Sequence, residues 1–157
     1  MQRREFMILF GAAAAASMSW PLPLPAQQPR SLPLVGFLSS APIVGSVNLV
    51  RAFRQGLTDS GLVETRDFFI EYRWAVNNQI EQLPAFAADF VRRQVAVIAA
   101  NDAASATAAQ AASTTTPVVL VTSQGSNEDS YRAAGLSVGR ILKGEKLTDP
   151  PVAQPAK

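Results

Sequence analysis

The feature that most limits what this chain can fold into is a repeated alternation. Short apolar runs, each suited to a strand rather than a helix, are separated by longer stretches whose apolar residues recur at helical spacing. The runs are Leu34–Ser39, Phe68–Trp74, Val95–Ala100 and Pro117–Thr122, and the nearly unbroken apolar character of the first and third suits strands buried on both faces. Phe68–Trp74 is aromatic-rich and partly alternating, which fits an edge. Between the first two runs, Val47, Val50, Phe53 and Leu57 predict one face of a helix capped by Ser46 and ended by Gly61. Asn77-Asn78 turns the chain into a second helix from about Ile80 to Arg93, striped by Leu83, Phe86, Ala87, Phe90 and Val91, with Pro84 in its first turn. Asp102 caps an Ala-rich third helix reaching about Ser113. Successive strand–helix–strand units with right-handed crossovers predict an α/β fold: a parallel open sheet of about four strands with flanking helices, in the order 2-1-3-4.

In that order the winding reverses between the first and third strands, and open α/β sheets bind ligands beyond the strands' carboxyl ends at such a switch point. Ser39-Ser40-Ala41, Asn101-Asp102-Ala103 and Thr122-Ser123 all lead there. Ser39, Ser40, Asn101, Asp102, Thr122 and Ser123 are therefore the candidate ligand-binding residues. The helix beginning after Asp102 aims unpaired backbone N–H groups at the same crevice. Each residue also has a plainer reading. The serines can end a strand, Asp102 can be a helix cap, and Thr122 and Ser123 can be loop residues. Tyr72 and Trp74 could stack on an aromatic ligand, or simply pack at the sheet edge.

Composition narrows the chemistry. The 157 residues contain no Cys and no His, which removes thiol catalysis, disulfides, Cys/His zinc sites and histidine-dependent triads. No phosphate-cradling glycine loop follows a strand. A phosphoacceptor site wants an acidic pair where Ser39-Ser40 stand, and a glycosidase wants two facing carboxylates where Asp102 is alone. No enzyme, cofactor or metal is expected. With 14 basic and 12 acidic residues interspersed along the chain, no nucleic-acid surface is expected either.

Residues 1–26 read as a leader. Arg3-Arg4-Glu5-Phe6 gives a basic start, Met7–Ser19 is an apolar run, and Trp20–Ala26 is a proline and small-residue exit, the plan of a cleavable signal peptide. About 13 apolar residues are too few to span roughly 30 Å of hydrocarbon. The paired arginines resemble a twin-arginine export signal; an ordinary secretory signal holding two arginines is the alternative. Either route predicts a periplasmic protein cleaved near Ala26, with residues 27–123 forming the first lobe.

Several segments carry a family resemblance: Arg3-Arg4-Glu5-Phe6, Ala26-Gln27-Gln28-Pro29, Val35–Ser40, Ala52–Leu57, Ile70–Ala75, and Leu83-Pro84-Ala85 through Val91–Val95. Together they resemble the amino-terminal lobe of ABC transporter substrate-binding proteins of the tryptophan/tyrosine type. The resemblance implies one lobe of a type I periplasmic-binding-protein-like fold. It also implies a small organic solute, amino-acid-like among the options, held between two lobes and handed to an ABC permease in the inner membrane. Tyr131–Ala134, Arg140–Lys146, Pro150–Val152 and Gln154–Lys157 resemble a stretch near the carboxyl end of such proteins, with the second lobe missing between, and Gln124-Gly125-Ser126 replaces the family's Asp-Pro-Val loop. The implied chain is a shortened member whose solute binding is weakened or lost. The alternative is an interaction module that self-associates through its exposed lobe face without binding solute.

The remainder divides into a junction at 124–129, a helix at 130–144 and a Pro-rich flexible tail at 145–157. Asp129 or Ser130 is the expected cap, Tyr131, Ala134, Val138, Ile141 and Leu142 the apolar face, and Gly144 the terminator. Lacking the missing lobe, this helix is expected to lie at the end of the sheet or against another molecule, weakly held.

Overall fold

The computed structural model describes residues 31–42, 47–121 and 127–146. The leader at 1–26, the cap Ser46, the crevice residues Thr122 and Ser123, junction residues 124–126 and the tail from 147 to 157 lie outside the described residues.

The strands are β1 (Leu34–Ser39), β2 (Phe69–Trp74), β3 (Val97–Ala100) and β4 (Val118–Leu120). They form one parallel sheet in the order β2-β1-β3-β4. The helices are α1 (Val47–Asp59), α2 (Leu83–Arg92), α3 (Ala103–Ala112) and α4 (Glu128–Leu142). This is the expected α/β architecture, a four-stranded parallel open sheet with flanking helices, consistent with one lobe of a periplasmic-binding-like fold.

Side-chain alternation along the strands divides the core in two. Val35, Phe37, Val97, Ala99 and Val119 join Phe53 and Leu57 of α1 and Tyr131, Ala134 and Val138 of α4. Leu38 and Ile98 join Leu83, Ala87 and Phe90 of α2 and Ala108 and Ala109 of α3. β2 alternates in the same sense. Ile70 and Tyr72 pack toward the first cluster, while Glu71 and Arg73 meet Asp89 of α2 and Arg93, just past its end, in an ion-pair network. Glu71 and Arg93 close to 2.5 Å, and that bond, with the arginine charges nearby, holds the Glu71 carboxyl below its ordinary range.

Three local expectations need correction. Val47 is not part of the buried stripe of α1; at the helix's first position it stands clear of the core and is 61% exposed. The second helix begins at Leu83, after 3₁₀ turns at Val76–Asn78 and Ile80–Gln82. Pro84 sets that start, because a regular helix running further upstream would drive its ring into the carbonyl four residues earlier. The cap of the last helix is Asn127, whose side chain accepts from the Ser130 N–H at 2.8 Å. Glu128 and Asp129 occupy the first turn, where carboxylates favour the positive end of the helix dipole.

The largest correction concerns how α4 is held. It lies on the broad face of the sheet beside α1, and Tyr131, Ala134 and Val138 are nearly or wholly inaccessible. Glycine makes this seat possible. A Cβ on Gly56 would stand 2.1 Å from the Arg132 carbonyl oxygen, and one on Gly135 would stand 2.1 Å from that of Phe53. The two backbones therefore touch where any side chain would separate them. Arg132 Nε adds an exposed bond to Asp59 at 2.6 Å, a small contribution beside the packing. The apolar face of α4 is thus buried within the described residues, firmly and not weakly.

Candidate functional site

The carboxyl ends of β1 and β3 lie side by side, and Asn101 N–H still donates to Leu38 O at 2.8 Å just past the strands. Asp102, its backbone still extended, caps α3, its Oδ1 accepting from Ser105 N at 2.9 Å and Ser105 Oγ at 3.1 Å. Its Oδ2 crosses to β1 and accepts from Ser40 N at 3.0 Å and Ser40 Oγ at 2.8 Å. One carboxylate thus ties the first strand's exit to the third helix's entry. Burial pushes the Asp102 carboxyl up, but its two backbone N–H and two hydroxyl donors outweigh that and hold it below the ordinary range. The crevice therefore carries a fixed negative charge whose acceptor sites are already engaged.

A second set of bonds lies beside the first. Ser39 is buried; its Oγ donates to Ala41 O at 2.8 Å and accepts from Asn101 Nδ2 at 3.1 Å. The Tyr131 hydroxyl of α4 donates to Asn101 Oδ1. Burial pushes the Tyr131 phenol up, the Asn101 bond partly offsets this, and the Asp102 charge adds to the rise. The phenol stays a neutral donor across the physiological range.

Ser39, Ser40, Asn101 and Asp102 are thus brought together. Thr122 and Ser123 are outside the described residues, although the preceding residue, Val121, continues the ladder by donating to Ala100 O at 2.8 Å. Sequence reasoning placed Tyr131 only on a packing face. Its part in the crevice depends on α4 returning to the sheet, and the single signal for that was the small-residue run Ala133-Ala134-Gly135, which permits close helix packing.

Asp102 does what its plainer reading held: it caps a helix. The recess bounded by Phe37, Ser39, Val50, Asn101 and Tyr131 is about 30 Å³, enough for a water molecule or two and far below a solute pocket. Among the described residues, the crevice is a wall of prearranged polar groups and not an enclosing cavity. Tyr72 packs on Phe37 with ring centroids 5.4 Å apart, and Trp74 on Tyr72 at 6.4 Å, so both belong to the edge of the sheet. Among the described residues no group of His, Cys, Asp or Glu is gathered in metal-binding fashion, and no helix is long and apolar enough to cross a membrane.

Compared with protein-family models, curated proteins and solved structures, the chain matches none.

Proposed function

We propose that the chain is an exported, non-enzymatic solute-binding lobe of an ABC importer, presenting one wall of a site for a small organic, amino-acid-like solute delivered to an inner-membrane permease. The observation that carries this reading is the hydrogen-bonded group formed by Ser39, Ser40, Asn101, Asp102 and Tyr131 at the switch point of a parallel sheet. The leader-like residues 1–26 and the segments resembling the tryptophan/tyrosine-type substrate-binding proteins support it. A single wall supplies about half the contacts of a two-lobed clamp, so micromolar affinity falls to roughly millimolar. Titration of the labelled chain with a panel of amino acids, followed by NMR, tests this. Saturable millimolar shifts centred on Ser39, Ser40, Asn101 and Tyr131 are expected. No saturable change, or changes centred elsewhere, overturns the reading.

The small recess favours a second reading, an interaction module that binds no solute. On that reading the crevice stays silent in the titration while the chain associates.

A further inference from the structure

β2 is an outer strand of the sheet, and its open edge is sharply bounded. Phe69 N–H and Ala75 N–H donate inward, to Pro33 O and Ser39 O of the β1 segment. By the two-residue period of a strand, the backbone groups of Ile70, Tyr72 and Trp74 point outward. At one end the outward carbonyl of Phe68 is taken by Thr65 N–H at 2.8 Å. At the other, the outward N–H of Val76 is taken by Gln82 Oε1 at 3.3 Å. Between these plugs, the outward groups of Ile70, Tyr72 and Trp74 have no partner among the described residues.

The side chains on this open stretch are self-complementary. In an antiparallel pairing with a second copy about a two-fold axis at Tyr72, Ile70 pairs with the partner's Trp74 and Tyr72 with the partner's Tyr72. Each of these pairs exchanges both backbone bonds, so every outward group is satisfied. In the same register Glu71 faces the partner's Arg73, and Arg73 the partner's Glu71, in the closely spaced positions between bonded pairs. Sliding by one bonded position either way sets Glu71 against Glu71 or Arg73 against Arg73 and leaves outward groups unpaired. Within the chain Glu71 pairs with Arg73 and Arg93, and exposures of 22% for Glu71 and 37% for Arg73 leave this network reachable from the edge, so that a partner's charges would join it. Edges that avoid association use charges that repel a like strand; these attract one. Phe69 and Trp74, 45% and 36% exposed, add apolar surface at both ends of the strand.

We infer that the chain forms a two-fold homodimer through β2, joining the two sheets into one continuous sheet with Tyr72 opposite Tyr72. This is independent of any solute at the crevice, and it gives the interaction-module reading a surface and a partner. Sedimentation of the full chain across a concentration series tests it, together with Glu71→Arg, Arg73→Glu and their mixture. The wild type should dimerise with concentration. Each single variant sets like charges opposite one another and should associate at least about tenfold more weakly. An equimolar mixture should regain the dimer, because the strand carrying two arginines in one variant then meets the strand carrying two glutamates in the other. Recovery on mixing also shows that each variant is folded. Should a variant fail to fold, hydrogen exchange on the wild type decides. The amides of Ile70, Tyr72 and Trp74 should slow as concentration rises, while those of β4 do not. A wild type that stays monomeric, a dimer unaffected by both single reversals, a mixture of folded variants that stays monomeric, or concentration-independent exchange at Ile70, Tyr72 and Trp74 overturns the proposal. None of these outcomes bears on the solute titration.

Discussion

On one face of the sheet the covering helices, α2 and α3, are separated in the chain only by β3; on the other, α1 and α4 come from far apart in sequence. The first face is closed by bulk, with Phe90 filling the space over Gly36 and alanines packing beneath α3. The second is closed by the absence of bulk, where Gly56 and Gly135 let two backbones meet. The difference matters at the crevice. The α2/α3 face supplies Asp102 through the start of α3, and the α1/α4 face supplies Tyr131, so the polar wall at the switch point is whole only when both faces are.

The strongest way to break this comparison is to hollow each face in turn. Phe53→Ala and Phe90→Ala should each cost about 3–5 kcal/mol, read as a lowered midpoint in denaturant. Because both faces share the same strands, each variant should still unfold in one transition. Two transitions in either would show that the faces are separate units. Gly135→Ala probes the glycine contact alone. The added methyl meets the Phe53 carbonyl, and the helices must part at a cost of about 1–3 kcal/mol; an unchanged thermal midpoint would mean that the approach is looser than described.

Smaller effects sharpen the crevice side. Asp102 binds its proton less readily when folded than when unfolded. Below about pH 4 the unfolded chain therefore holds more protons and stability falls as acid is added. Asp102→Asn should be less stable at neutral pH and should lose part of that acid dependence, as acid titration of the unfolding midpoint would report. Smallest of all, Tyr131→Phe removes one hydroxyl and should cost about 1 kcal/mol. The chain's two tyrosines, Tyr72 and Tyr131, both titrate late; burial pushes Tyr72 up to about 12. Phenolate absorbance at pH 10 should therefore be lower in the folded protein than in the unfolded chain and rise as it unfolds.

The legibility of the molecule follows the same division. The strands, their parallel order and the α2/α3 face are written in local patterns: apolar runs, the Asp102 cap, and Leu83, Ala87 and Phe90 at helical spacing. Those patterns, joined to the handedness of crossovers, also brought Ser39, Ser40, Asn101 and Asp102 together. What could not be read is the place of α4. Its amphipathic face is plain in the sequence, but the partner for that face is chosen by a glycine far upstream, Gly56 in α1. Sequence spacing does not show that two glycines meet. Tyr131 was missed as part of the crevice for this reason, and Val47 was misplaced because helical spacing cannot say where the sheet beneath a helix stops.

Hydrogen exchange comparing α4 with the central strand is the most direct test of whether the last helix belongs to the core. With α4 seated on the sheet through Ala134, Gly135 and Val138, the amides from Ala134 to Leu142 should be protected to nearly the same degree as those of Val97 to Ala100, opening with the whole domain. Rapid exchange throughout that helix, with β3 still protected, would contradict this account and leave Tyr131 outside the crevice.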